Sequence, residues 1–180
     1  GVQTCALPIC LPCTRLSSLQ NLTERDEAAW SKFLKRRGQD LRRADEVARS
    51  LEPVIAGDDD FGWEWPIGAV AGWRSSAIQR LERPAKKHGR VIYWIRIHGC
   101  QYGLEWQGLP LKKGWQIMTT SRELWLRVCH RCPGDHEHAE CRGPAAVASS
   151  YYPPKLCNDI LKAMKAQWNI QDKHAVYLTE

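Results

Sequence analysis

The run Cys129-His130-Arg131-Cys132-Pro133-Gly134-Asp135-His136-Glu137-His138-Ala139-Glu140-Cys141 restricts this chain more than any other stretch. Two cysteines separated by two residues bring both sulfurs to the spacing of a tetrahedral ion, and Pro133-Gly134 supplies a turn. Cys129, Cys132, His136, His138 and Cys141 give five candidate ligands within 13 residues, with His130 a lesser one. The competing readings are an exposed loop with incidental Cys and His, or a redox cysteine pair. Compactness favours zinc, in a structural role, because a closed four-ligand site leaves no position for water. Which histidine binds stays open. Eight cysteines in 180 residues are too sparse for a secreted disulfide scaffold. A reducing, intracellular compartment, nuclear or cytoplasmic, is therefore expected.

Around this run, the pattern alternates between helix and strand. Trp30, Phe33, Leu34, Leu41, Ala44, Val47, Ala48, Leu51 and Ile55 recur at spacings near 3.6, which predicts a long helix. Thr23 and Asp26 read as its capping box, and Pro53 and Gly57 as its end. Asp58-Asp59-Asp60 reads as a solvated loop. Ile9-Cys10-Leu11 and Phe61–Trp65 read as short strands, and Trp73–Leu81 as a helix. The stretch Arg90–Ile97, rich in β-branched and aromatic residues, is the clearest strand, and Trp115–Thr120 is another. Ser121 caps a short helix through Leu126, and a last helix starts around Pro153-Pro154. This alternation predicts an α/β fold: a Rossmann-like open, mainly parallel sheet.

No run of about 18 apolar residues exists, so no membrane partner is expected. Lys plus Arg number 26 against 20 Asp plus Glu, giving a net charge of +6 that suits an acidic partner. Trp30, Trp63, Trp94, Trp125 and Trp168 are expected to fill the core. The basic face of the long helix is read as a solvated one.

A second constellation is spread along the chain: Pro12-Cys13, Glu64, and Cys100-Gln101-Tyr102-Gly103 followed by Lys112-Lys113. Each follows an expected strand, and in an open α/β sheet such positions converge on one crevice. Pro12-Cys13-Thr14-Arg15-Leu16-Ser17 resembles the Pro-Cys motif of DNA cytosine-C5 methyltransferases. Trp63-Glu64-Trp65-Pro66 stands where that family has Glu-Asn-Val. Gln101-Tyr102-Gly103 through Pro110-Leu111-Lys112-Lys113 is similar to its Tyr-Gly…Pro-Gln-x-Arg-x-Arg element. The stretch from Leu11 to about Ala163 more closely resembles methyltransferase-like segments of protist mobile-element (retrotransposon) polyproteins. The resemblance implies Cys13 as the nucleophile, Glu64 as the base-contacting acid, and Ser17, Lys112 and Lys113 as nucleic-acid contacts. It also implies S-adenosylmethionine as cofactor of the intact parent.

The family's Gly-rich cofactor motif precedes its Pro-Cys motif, and residues 1–9 do not supply it. Leu16 replaces Phe, Trp65 replaces Asn, and Lys112 and Lys113 replace an arginine pair. Residues 1–9 resemble translated sequencing adapter and are read as an artefactual leader. The expected divisions are then 10–128 as a truncated methyltransferase-related domain, 129–141 as a zinc segment and 142–180 as C-terminal helix and tail. The expected function is a catalytically incomplete methyltransferase-related domain acting on nucleic acid, DNA more than RNA. The alternative is a non-enzymatic nucleic-acid-binding or zinc-stabilised interaction module of a mobile-element polyprotein.

Overall fold

The computed structural model describes Leu16 and residues 27–177, with side chains as far as residue 169. The chain divides into two units. One comprises the described residues as far as Ile92 together with Gln116–Thr120, and the other Tyr93–Trp115 with the described residues from Ser121.

In the first unit the 3.6-residue period produces α1, Glu27–Ala56, whose buried positions are Phe33, Asp40, Ala44, Ala48, Leu51 and Ile55. Thr23 and Asp26, the expected capping box, lie outside the described residues. Pro53 does not end α1 as expected. It falls in the last turn, the helix continues to Ala56, and the Gly57 N–H donates to the Pro53 carbonyl at 3.1 Å. A proline removes its own amide donor and crowds the carbonyl four residues back, and here the helix ends within a turn of it.

α2 (Val70–Trp73) and α3 (Ser76–Lys87) replace the single helix expected over Trp73–Leu81. α3 packs along α1 through Ala77, Ile78, Leu81 and Ala85. Arg80 ties the two helices together, forking onto both Asp45 oxygens at 3.2 Å and reaching Glu52 at 3.0 Å. β1 (Gly62–Pro66) carries Trp63 and Trp65 into the core with Phe61, Ile55, Leu81 and Met118. Trp65 meets Trp63 edge-on at 5.1 Å and Trp73 at 5.4 Å. Gly72 is required beneath it, because a Cβ there would lie 2.7 Å from the Trp65 ring.

The Asp58-Asp59-Asp60 loop is not simply solvated. Arg90 donates to the carbonyls of Gly57 and Asp59 and pairs with Asp60 at 2.7 Å, leaving Asp60 only 6% exposed. Burial pushes the Asp60 carboxyl above its usual range even though Thr120 and Arg90 pull it down.

In the second unit β2, Tyr93–His98, alternates between buried and open positions. Ile95 and Ile97 are fully buried, and Tyr93 stacks on Trp125 of α4, Arg122–Val128, at 5.4 Å. The Ser121 side chain caps α4 by accepting from the Leu124 N–H at 3.2 Å. A 3-10 turn, Gly99–Tyr102, follows β2. β3 (Glu105–Trp106) and β4 (Leu109–Pro110) then form an antiparallel hairpin, with Trp106 opposite Leu109. Its two turn residues, Gln107 (φ 52°) and Gly108 (φ 77°), both adopt the left-handed conformation of a type I′ turn. α5 (Pro144–Ala148) precedes α6 (Pro154–Tyr177), which starts with proline at its first position and packs on α4.

With β5 (Gly114–Thr119), the longer strands lie in the order β1-β5-β2. The fold is mixed α/β with a small antiparallel sheet, and among the described residues the expected Rossmann-like parallel sheet is not formed. Parallel neighbours need a crossover, usually a helix. Between β2 and β5 there is only the 3-10 turn and the β3–β4 hairpin, so the chain returns antiparallel. Periodicity identifies a strand but not its direction.

The tryptophans also divide differently from expectation. Trp63 is buried and so are Trp65 and Trp115, but Trp94, Trp125 and Trp168 are 37–39% exposed. No helix among the described residues is long and apolar enough to cross a membrane.

Candidate metal centre

The end of β2 and the exit from α4 lie side by side, because the His98 N–H donates to the His130 carbonyl at 3.0 Å. Beyond β2 the chain turns tightly. The Leu104 N–H reaches back to the Gly99 carbonyl at 3.0 Å, Gly103 supplies the left-handed residue, and the Gly99 N–H donates to Lys113 at 2.8 Å. Gly99 is closely enclosed, since a Cβ there would meet Leu104 Cδ2 at 2.6 Å and force it to shift. This turn presents the Cys100 thiol.

The facing run is shaped by its own chemistry. Gly134, at φ 85°, lets the chain fold over Cys132, and its N–H donates to Cys132 Sγ at 3.3 Å. The Cys132 N–H donates to His98 Nδ1 at 2.9 Å. His136 and His138, two residues apart, both turn Nε2 toward Cys132 Sγ, at 3.7 and 3.3 Å.

Cys100, Cys132, His136 and His138 thus form one group whose four donor atoms all lie within 4.8 Å of one another, an arrangement that can hold a metal ion. With metal–sulfur and metal–nitrogen bonds of about 2.3 and 2.0 Å, a tetrahedral ion would set sulfur and nitrogen roughly 3.5 Å apart. The two measured sulfur–nitrogen distances bracket that value. Asp135 Oδ1 lies 2.7 Å from His136 Nδ1, so the carboxylate holds the far nitrogen and leaves Nε2 facing the donor group.

The electrostatics favour a cation-binding state in one respect and disfavour a bare thiolate in another. Desolvation, then the neighbouring His136 and Lys112, lowers the pKa of His138, which keeps the imidazole in its neutral, ligating form. Burial, then the adjacent Cys132 thiol, raises that of Cys100. A cation beside it therefore favours its thiolate. His98 is lowered by burial and then by Lys112, Arg131, His138 and Arg96, so the surroundings of the centre are electropositive.

Three of the five expected ligands are in this group and two are not. Cys129 ends α4 with a half-buried thiol, and Cys141 points to Ser149 Oγ at 3.9 Å. The Cys129–Cys132 pair does not grip one site, because Cys129 belongs to the end of a helix and Cys132 to the turn beyond it. Cys100 takes part instead. Local spacing gave no sign of it, since it stands 32 residues before Cys132. The only available signal was a cysteine in a glycine-bounded turn at the end of the clearest strand.

Of the second constellation, Cys13 and Ser17 lie outside the described residues. Glu64 is in β1 and 5% exposed, buried rather than open to a crevice. Lys113 donates to the Ser149 carbonyl and lies 5.9 Å from the Trp115 ring centre, so a structural role occupies it. Lys112 is exposed. Compared with family models, curated proteins and solved structures, the chain matches none.

Proposed function

We propose that this chain is a non-enzymatic nucleic-acid-binding module whose second unit is organised by a structural zinc ion on Cys100, Cys132, His136 and His138. The convergence of those four donor atoms is the observation that carries the reading. Two thiolates and two imidazoles are a preferred donor set for zinc, and four protein ligands complete its tetrahedron without an open position. Exposed Arg96, Lys112 and Arg131 around the centre, with the chain's net charge of +6, favour a polyanionic partner.

The methyltransferase reading has less support. Glu64 is buried, and the sheet is antiparallel rather than the parallel kind whose strand ends form such a crevice.

Metal content of the purified protein tests the proposal. One zinc per chain is expected, lost in Cys100→Ser and His138→Ala and kept in Cys129→Ser and Cys141→Ser. A stoichiometry near zero, or loss in the Cys129 and Cys141 variants alone, overturns it. Nucleic-acid binding is read separately, as oligonucleotide affinity that falls steeply as salt is added.

A further inference from the structure

β2 has one face turned to the interior, with Ile95 and Ile97 fully buried, and an opposite face that is open. Along the open face stand Trp94, Arg96 and His98, and the last of these accepts from the Cys132 backbone at the edge of the metal centre. Successive side chains on one face of a strand are about 7 Å apart. The row therefore runs from an aromatic ring, 38% exposed, past a guanidinium to the metal centre. Lys112 and Arg131 are exposed there, close enough to His98 to act on it electrostatically.

We propose that this row is a track for single-stranded nucleic acid, with Trp94 stacking on a base and Arg96, Lys112 and Arg131 meeting the phosphates. The proposal rests on the nucleic-acid reading above and gives it a surface and a preferred strandedness. Trp94, 38% exposed, shares its strand face with Arg96, and Lys112 and Arg131 lie near His98 at the end of that face. The row thus combines the two elements of single-strand recognition, a stacking platform and a positive path for the backbone. The strandedness follows from the ring. A paired, stacked base hides its π-face from Trp94, whereas an unpaired base offers it. The metal centre has a positioning part, since the Cys132 turn carries Arg131 beside the end of β2.

The test uses the full zinc-loaded chain and fluorescence anisotropy with a 12-nucleotide single-stranded DNA, the matching duplex and polyglutamate as competitor. The single strand is expected to bind about ten-fold more tightly than the duplex, with polyglutamate a poor competitor. Trp94→Ala is expected to weaken single-strand binding about ten-fold, and Trp94→Phe to retain most of it. Arg96→Gln is expected to reduce the slope of log affinity against log salt by about 0.7. Trp168→Ala, an equally exposed tryptophan on α6, is expected to bind unchanged. Binding that persists undiminished in Trp94→Ala and Arg96→Gln overturns the track and leaves the nucleic-acid reading standing. Equal preference for duplex, or full competition by polyglutamate, overturns the single-strand assignment. No binding to either nucleic acid at low salt overturns both.

Discussion

Gly99 shows how little room a single position leaves. A Cβ at position 99 would stand 2.6 Å from Leu104 Cδ2 and 3.2 Å from the Leu111 carbonyl oxygen. Gly99→Ala is therefore expected to cost about 1–3 kcal/mol of stability and to displace the adjacent Cys100. A lowered urea midpoint together with weakened zinc affinity would show it. Zinc affinity equal to that of the unmodified protein would separate the turn from the centre. Thiol reactivity gives an independent readout at the same scale. In zinc-loaded protein, alkylation is expected at Cys129 and Cys141 but not at Cys100 and Cys132, and a chelator should open the latter pair. Mass spectrometry of the modified peptides distinguishes the four positions.

Between elements, the contact of α1 with α3 combines an apolar seam with an ion-pair fork. Leu81 is fully buried in that seam, so Leu81→Ala is expected to lose about 2–5 kcal/mol, measured as a shift in the denaturation midpoint. The fork adds a pH dependence. The Arg80 hydrogen bond, more than any other influence, holds the Asp45 carboxyl below its usual range. A carboxyl depressed in the folded state adds stability above its unfolded pKa of about 3.9 and loses it as pH falls through the lower folded value. Asp45→Asn should thus be less stable than the unmodified protein at neutral pH, with the gap closing below about pH 4. A gap that stays constant between pH 7 and pH 3 would show that the pair contributes nothing through charge. At this scale the sequence was largely readable. Hydrophobic period marked the long helix, the β-branched run marked β2, and Ser121 and Pro154 marked helix starts. Strand direction was not readable, because the apolar alternation of β2 and β5 is the same whichever way they pair. The exposed Trp94 and Trp125 were misplaced for a related reason: size predicts average burial, whereas the face of the strand or helix decides the individual case. Cys100 was grouped with the second constellation and not with the Cys/His run, because tertiary folding brings its partners to it and no local pattern records that.

Considered whole, both units bury apolar side chains, and one of them also carries the Cys/His group. The first contains Phe61, Trp63, Trp65, Ile55 and Leu81, and the second buries Ile95, Ile97, Leu111, Val128 and Leu156 beside that group. Removing metal should therefore act unevenly. Hydrogen exchange with a chelator present is expected to quicken over residues 129–141 and the 99–104 turn while amides of α1 and α3 stay protected. Equal loss of protection everywhere would show that the core depends on the ion as well. The separation of the ligands along the chain has one more consequence. Cys100 and Cys132 bracket a loop of about 30 residues that contains β3, β4, β5 and α4. An ion held at both ends is a removable cross-link. By the chain-entropy relation for disulfides, closing such a loop removes about 3–4 kcal/mol of freedom from any unfolded state that still grips the metal. Under the zinc reading proposed above, free zinc would set how far this loop opens, and metal supply would control the persistence of the folded chain.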